Sequence, residues 1–293
     1  LCFFVSSILQ ARRAVTRLIA EAGWEILHLY QPFSGYGALH ARRAKGLPSL
    51  YTFLSPAPLE YISRRGMTEH HRTGLVGRAV ELMLWKIERA CLLGATRIHV
   101  LSEFSATQLR ELYRIPSDRI VKVPGGADIQ RFQPAPDRQS VRKDLGLPTG
   151  SPVLLTVRNL EARMGLDTLI RAMAILSQHN PGMVLLIGGA GSLRGALESL
   201  SASLGLQANV RFLGYIPEPD LPRYYQAADL FVLPTRELEG FGLTTVEALA
   251  CGTPVLGTAV GATPEILLGL DASLVLRESS PQAMAEDIRR ILD

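Results

Sequence analysis

Between residues 153 and 292 the sequence alternates between two kinds of pattern, and that alternation limits the fold more than any single motif. Apolar runs of strand length stand at 153–157, 184–187, 210–213, 230–233 and 255–256, with a last one expected at 274–276. Between and after them, at 166–176, 193–204, 221–228, 243–250 and 281–292, apolar residues recur at helical spacing. Strands without polar interruption are buried on both faces, which a parallel sheet covered by helices provides. The expectation is a doubly wound, Rossmann-like α/β domain. Ligands of such domains sit in the crevice at the carboxyl ends of the strands.

The first half follows the same pattern less completely. Helices are expected at 7–22, 38–44, 75–93 and 105–112, and strands at 25–30, 49–54, 97–101 and 120–123. A full Rossmann half starts with a strand and a glycine-rich turn. Here an apolar stretch leads straight into a helix, so the first βαβ region is expected to be missing. Pro134, Pro136, Pro148, Gly150 and Pro152 lie among polar residues and mark a boundary, with a short helix at 140–145. The expected division is an incomplete N-terminal domain at 1–135, a linker at 136–151 and a C-terminal domain at 152–293.

Charge separates the halves. Residues 1–150 hold 21 Lys+Arg against 12 Asp+Glu, and residues 151–293 hold 10 against 15. All four lysines, Lys45, Lys86, Lys122 and Lys143, fall in the first half. Such asymmetry fits two domains with different partners. The three cysteines, Cys2, Cys91 and Cys251, are far apart among apolar neighbours, as buried thiols in a reducing cytosol would be. The adjacent His70 and His71 make no metal signature, so no metal is expected. No apolar run is long enough to cross a membrane, and no cleavable leader is recognisable. The basic residues lack interleaved aromatics, so nucleic acid is not expected as a partner.

The strongest chemical signal is Glu239-Gly-Phe-Gly-Leu-Thr-Thr-Val-Glu247. Gly240 and Gly242 let backbone approach a ligand closely. A helix starting near Gly242 would offer free N–H groups to an anion such as a diphosphate. Glu247 lies eight residues after Glu239, about two helical turns or ~12 Å, so the pair could hold hydroxyls on the two sides of a phosphate. On its own the stretch also reads as an ordinary helix start with an acidic residue favoured by the dipole.

The segments around it narrow the choice. The stretch resembles the E-x7-E motif of glycosyltransferase family 4. Pro124-Gly125-Gly126-Ala127-Asp128 is similar to that family's P-N-G-V-D turn, and Val157-Arg158-Asn159-Leu160 with Met164-Gly165 to its G-R-L…K-G segment. The runs 187–191, 210–215, 228–234 and 260–265 resemble further family segments in the same order. The resemblance implies a GT-B fold, two Rossmann-like domains facing a cleft. It implies a retaining, metal-independent glycosyltransferase that moves a hexose from a nucleotide diphosphate sugar to an unidentified acceptor (a lipid-linked, polysaccharide or small molecule) and needs no cofactor. By the same resemblance Arg158 pairs with the diphosphate, Glu247 holds the ribose hydroxyls and Glu239 contacts the sugar. Gly189 belongs to the glycine-rich loop, and the N–H groups of Phe241, Gly242 and Leu243 face phosphate or sugar. Tyr215 and Ile216 lie beside the base.

Three departures accompany the resemblance. The family's diphosphate lysine falls on Met164, with Arg163 adjacent as the expected substitute. The histidine of a T-x-H context falls on Leu54. The glycine-rich first turn is expected to be missing. These leave open a non-catalytic homologue that binds nucleotide, or a nucleotide-sugar epimerase of the same architecture. His28 stands where the family often has H-x-H and reads either as an acceptor-side residue or as a strand-end histidine, while His99 reads as a strand residue. The glycines at 189 and 191 lack the third glycine of a dinucleotide fingerprint, because Arg194 takes its place. The basic, apolar-striped stretch at 64–97 reads as a helix on its own sheet or as a peripheral contact with an anionic membrane on the cytoplasmic side.

Overall fold

The computed structural model describes residues 2–41, 44, 46–64 and 75–293. Lys45, His70, His71 and the stretch from 65 to 74 lie outside the described residues. The chain divides into two compact units, Leu1–Pro124 and Gly125–Asp293.

Unit 1 has a four-stranded sheet ordered β1-β2-β3-β4, with every pairing parallel. The strands are β1 (Leu27–Leu29), β2 (Ser49–Phe53), β3 (Arg97–Val100) and β4 (Ile120–Lys122). Among the described residues its helices are α1 (Cys2–Glu21), α2 (Pro32–Leu39), α3 (Ala57–Arg64), α4 (Leu75–Gly94) and α5 (Glu103–Tyr113). Side chains alternate across a strand. Tyr51, Phe53, Ile98 and Val100 therefore enter one core with Leu92, Leu109 and Tyr113, while Thr52 and His99 face the other way in register.

Three helices of unit 1 differ from expectation, the first because α1 starts at Cys2 rather than at 7. The one expected at 38–44 is α2, and it starts at Pro32 and ends by His40. A Cβ on Gly37 would lie 2.2 Å from the carbonyl oxygen of Ile8. The glycine is there so that α2 can press onto α1. Helix α3 was not foreseen because of Pro56 and Pro58, which stand at its start, where a missing N–H costs nothing.

Unit 2 has a five-stranded parallel sheet ordered β7-β6-β5-β8-β9. Its strands are β5 (Val153–Val157), β6 (Val184–Gly188), β7 (Val210–Gly214), β8 (Leu230–Leu233) and β9 (Val255–Gly257). Its helices are α6 (Arg138–Asp144), α7 (Leu166–His179), α8 (Arg194–Ser203), α9 (Leu221–Ala227), α10 (Leu243–Ala250), α11 (Thr263–Leu267) and α12 (Pro281–Leu292). Leu154, Leu185, Ile187 and Val232 pack on one side with α7 and α12 residues such as Leu169, Met173, Met284 and Ile288. Val153, Leu155, Leu186 and Phe231 pack on the other with Tyr225 and Ala248.

The stretch expected as a linker, 136–151, is docked on unit 2. Arg142, 3% exposed, donates through Nε to the Ala227 carbonyl at 2.8 Å and pairs with Asp229 at 2.5 Å. Phe132 and Leu147 enter the core beside Tyr225. Prolines there shape turns that pack, so the compact division falls earlier, at Pro124. The strand expected at 274–276 is a 3-10 turn, Ala272–Leu274, followed by a single bridge from Val275 to Gly257.

Candidate functional site

Strand order fixes where unit 2 can open. Its first strand, β5, is central, with β6 and β7 to one side and β8 and β9 to the other. The chain therefore leaves β5 and β8 in opposite directions, and side chains beyond their carboxyl ends meet in the crevice between. Arg158 follows β5, and Thr235 and Glu239 follow β8.

These residues bond to one another. Arg158 Nη2 donates to Glu239 Oε2 and, at 3.0 Å, to Thr235 Oγ1. Thr235 in turn donates to Glu239 Oε2 at 2.9 Å. The side chains of Arg158 and Glu239 are 7% and 8% exposed. A buried charge needs such compensation, because desolvating it unpaired costs several kcal/mol. Arg158 Nε is also buried, and no protein group accepts from it.

Gly189 lets the β6 end close on the β5 end. Its φ is +123°, and a Cβ there would sit 1.9 Å from the Arg158 carbonyl oxygen. Arg158 N donates to the Gly188 carbonyl at 2.9 Å, and Gly189 N to the Gly214 carbonyl at 2.6 Å. The ends of β5, β6 and β7 are thereby laced together. Ile216, 8% exposed, packs on Gly188, while Tyr215 is 74% exposed.

Helix α10 starts at Leu243, with Gly242 as cap at φ +86° and no side-chain cap. Its leading N–H groups have no helical partner, and Leu243 is exposed while Phe241 is buried. The hydroxyls of Thr244 and Thr245 are buried without a protein partner. Glu239 lies on the loop ahead of the helix, and its carbonyl accepts from Ala262 N at 2.9 Å. Glu247 is thus one turn into α10, rather than two turns along a helix shared with Glu239. Tyr225 donates to Glu247 Oε2 at 2.9 Å. Burial, first, and the nearby Glu218 push the Glu247 carboxyl above its ordinary value, against the Tyr225 bond and the Arg131 charge.

Of the residues singled out in the sequence, Arg158, Gly189, Glu239 and Gly242 come together here. Arg163 lies beside the loop ahead of them: its Nη1 donates to the carbonyls of Leu238 at 3.1 Å and Glu237 at 3.4 Å, and its own carbonyl accepts from Arg236 N at 2.7 Å. It holds the loop ahead of Glu239, whose Leu238 has a left-handed φ of +59°. Met164, where a lysine was expected, rests its sulfur 3.1 Å from Arg158 Nη2. Leu54 is 48% exposed just after β2. His28 is on unit 1, bonded to Thr52 at 2.8 Å. Thr235, Tyr225 and Arg131 were missed. Thr235 alone carried a signal, standing four residues before Glu239.

Among the described residues no group of three His, Cys, Asp or Glu is placed to hold a metal, and no helix is long and apolar enough to cross a membrane.

The family model described as glycosyl transferases group 1 matches residues 137–293, and that of Glycosyltransferase Family 4 matches 4–131. D-inositol 3-phosphate glycosyltransferase of Saccharomonospora viridis is 30% identical over 99% of this chain and 66% of its own length. The protein of that name from Frankia alni is 30% identical over 100% of this chain and 70% of its own. The chain thus spans about two thirds of these relatives. Among solved structures, sucrose-phosphate synthase from Thermosynechococcus elongatus superposes with a TM-score of 0.77 at 27% identity, over 96% of this chain and 67% of that one. Anabaena Alr3699/HepE in complex with UDP and glucose gives 0.77 at 20% identity, over 96% and 71%. Two parallel-sheet α/β units, a charged crevice at the strand ends of the second and these matches agree: the chain belongs to the glycosyl transferases group 1 family and has the GT-B fold.

Proposed function

We propose that the chain transfers a hexose, with retention of configuration and without a metal, from a nucleotide diphosphate sugar to an acceptor hydroxyl. The observation that carries this reading is the meeting of Arg158, Glu239 and the uncapped start of α10 at the switch point of unit 2. Arg158 and the N–H groups of Phe241, Gly242 and Leu243 take the diphosphate. Glu247 takes the ribose hydroxyls, Glu239 the sugar, and the backbone at Tyr215 and Ile216 the base. Gly189 keeps the loop clear for the donor. The C1–O bond to the diphosphate breaks, the acceptor oxygen bonds C1 on the same face, and the acceptor proton passes to the leaving phosphate. Charge stabilisation of that phosphate is then the main catalytic demand, and an arginine fork suits it. An arriving phosphate would replace Glu239 as the partner of Arg158 and release the carboxylate towards the sugar.

The acceptor side is assigned to unit 1, with His28 as a candidate contact, and a lipid-linked acceptor would bring its basic surface to an anionic membrane. The names of the relatives make inositol 3-phosphate the first acceptor to try, and the HepE complex makes UDP the first nucleotide. A second reading, a homologue that binds nucleotide without turnover, is favoured by Met164 lying on Arg158 where a cation was expected.

Thermal unfolding with UDP, GDP and ADP, each beside its nucleoside, tests the donor site. A ligand at 100 times its Kd adds about 2.7 kcal/mol. One diphosphate should stabilise the chain. Glu247→Ala should weaken that binding by about 1.5–3 kcal/mol, the worth of a charge-assisted hydrogen bond. No stabilisation by any of the three would remove the donor assignment. Stabilisation without consumption of the nucleotide sugar would select the second reading.

A further inference from the structure

A line of hydrogen bonds runs across three strands of unit 1. His28 on β1 is opposite Leu50, two residues from Thr52 on β2, and Thr52 is opposite His99 on β3. All three therefore point to one face of the sheet. The Tyr30 hydroxyl lies 3.1 Å from His28 Nδ1. His28 Nε2 lies 2.8 Å from Thr52 Oγ1, which lies 3.1 Å from His99 Nδ1. His99 Nε2 lies 3.0 Å from the Val123 carbonyl oxygen.

The carbonyl gives this line a direction. It can only accept, so His99 Nε2 carries the proton, and in the neutral ring Nδ1 is then an acceptor. Thr52 donates to that nitrogen, which leaves its oxygen to accept from His28 Nε2–H. His28 Nδ1 is thereby bare and accepts from Tyr30.

We propose that Thr52 and His99 are positioning residues that hold His28 in its Nε2–H tautomer, so that Nδ1 takes the Tyr30 proton and the Tyr30 oxygen is presented to a neutral hydroxyl that donates to it. His28 and Tyr30 are the exposed end of the line, at the carboxyl end of β1, where parallel sheets take ligands. Thr52 is 4% exposed and acts only through its neighbours. The inference rests on the reading that unit 1 serves a hydroxyl acceptor.

The test is a 15N spectrum of histidine-labelled full chain at about pH 8.5, where an ordinary imidazole is neutral, with H28Q and H99Q as assignment controls. Both rings should show protonated Nε2 and bare Nδ1. Thr52→Val should move His28 to a mixture containing Nδ1–H, and Thr52→Ser, which keeps the hydroxyl, should restore the parent pattern. Molar glycerol, as a plain hydroxyl probe, should shift the His28 Nδ1 signal and leave that of His99 in place. An Nδ1–H form of His28 in the parent, an unchanged T52V spectrum, a T52S spectrum that stays altered or a His28 signal indifferent to glycerol would each overturn the proposal. Stabilisation by UDP is read on unit 2 and should be the same in T52V, so failure of the transferase reading shows separately.

Discussion

Unit 2 ends its sheet in charge, and unit 1 ends its sheet in neutral polar groups. In unit 2 a guanidinium and a carboxylate, both nearly buried, compensate each other beside a helix start lined with unpartnered threonine hydroxyls. In unit 1 a phenol, two imidazoles and a hydroxyl pass a single hydrogen-bond direction to a backbone carbonyl. The buried acid of unit 1, Glu88, lies instead among Tyr51, Tyr113, Cys91 and Glu60. Burial pushes its pKa up to about 7, with the Tyr113 hydroxyl and Ala57 N holding it down. A charge held by an opposite charge can be exchanged for the charge of a ligand; a buried acid without a cationic partner holds its proton more tightly. The first arrangement suits a diphosphate, and the second suits hydroxyls.

The largest effect should come from breaking the compensation in unit 2. Arg158→Met leaves Glu239 buried with only Thr235 beside it, and removing one partner of a buried pair costs about 3–5 kcal/mol. The double variant Arg158→Met/Glu239→Gln should recover most of that loss. Urea unfolding followed by circular dichroism measures both. A cost below about 1 kcal/mol for the single variant would mean that water already compensates Glu239, as at an exposed ion pair, and the contrast between the units would weaken.

A somewhat smaller effect is expected at Glu88, and it depends on pH. The folded protein holds this proton more tightly than the unfolded chain does, since the pKa rises from 4.5 to about 7. The associated stability is fully present below about pH 4.5 and is lost as pH rises through about 7, a loss of about 3 kcal/mol at 1.36 kcal/mol per pH unit. Glu88→Gln, which still accepts from Ala57 N, should flatten this profile and exceed the parent in stability at about pH 8. The same pH slope in parent and variant would show that Glu88 is not the group responsible.

Strand and helix positions in unit 2 were legible because apolar runs are bounded there by breakers. β5, β8, α10 and α12 begin and end where the pattern places them. In unit 1 the roles of glycine and proline were not legible: Gly37 serves close helix packing, and Pro58 serves a helix start. The docking of 136–151 was hidden because the Arg142–Asp229 pair joins residues 87 apart, and the Arg158–Glu239 pair joins residues 81 apart. The motif around Glu239 marked the right loops but not the partners. A sequence shows that Arg163 adjoins Met164; it does not show the carbonyls of Glu237 and Leu238 that take up its guanidinium. Nor could His28 and His99 be joined from the sequence, since Thr52 links them only through strand register.

The smallest expected effect probes the hydrogen bond that opposes the raised pKa of the Glu247 carboxyl in unit 2. Tyr225 is fully buried, and its hydroxyl donates to Glu247, which is itself only partly buried. Tyr225→Phe removes that bond while water can still reach the carboxylate, so the cost should be about 1 kcal/mol. Because the bond lowers the Glu247 pKa against burial and Glu218, its loss should raise that pKa further. Under the proposed function the ribose hydroxyls need the ionised carboxylate. Nucleotide affinity should then fall away at a higher pH in the variant than in the parent as pH is lowered. A profile that moves would tie the charge of Glu247 to nucleotide binding through a residue that touches no ligand, and one that stays in place would leave Tyr225 as packing between β8 and α10 and return the ribose contact to another group.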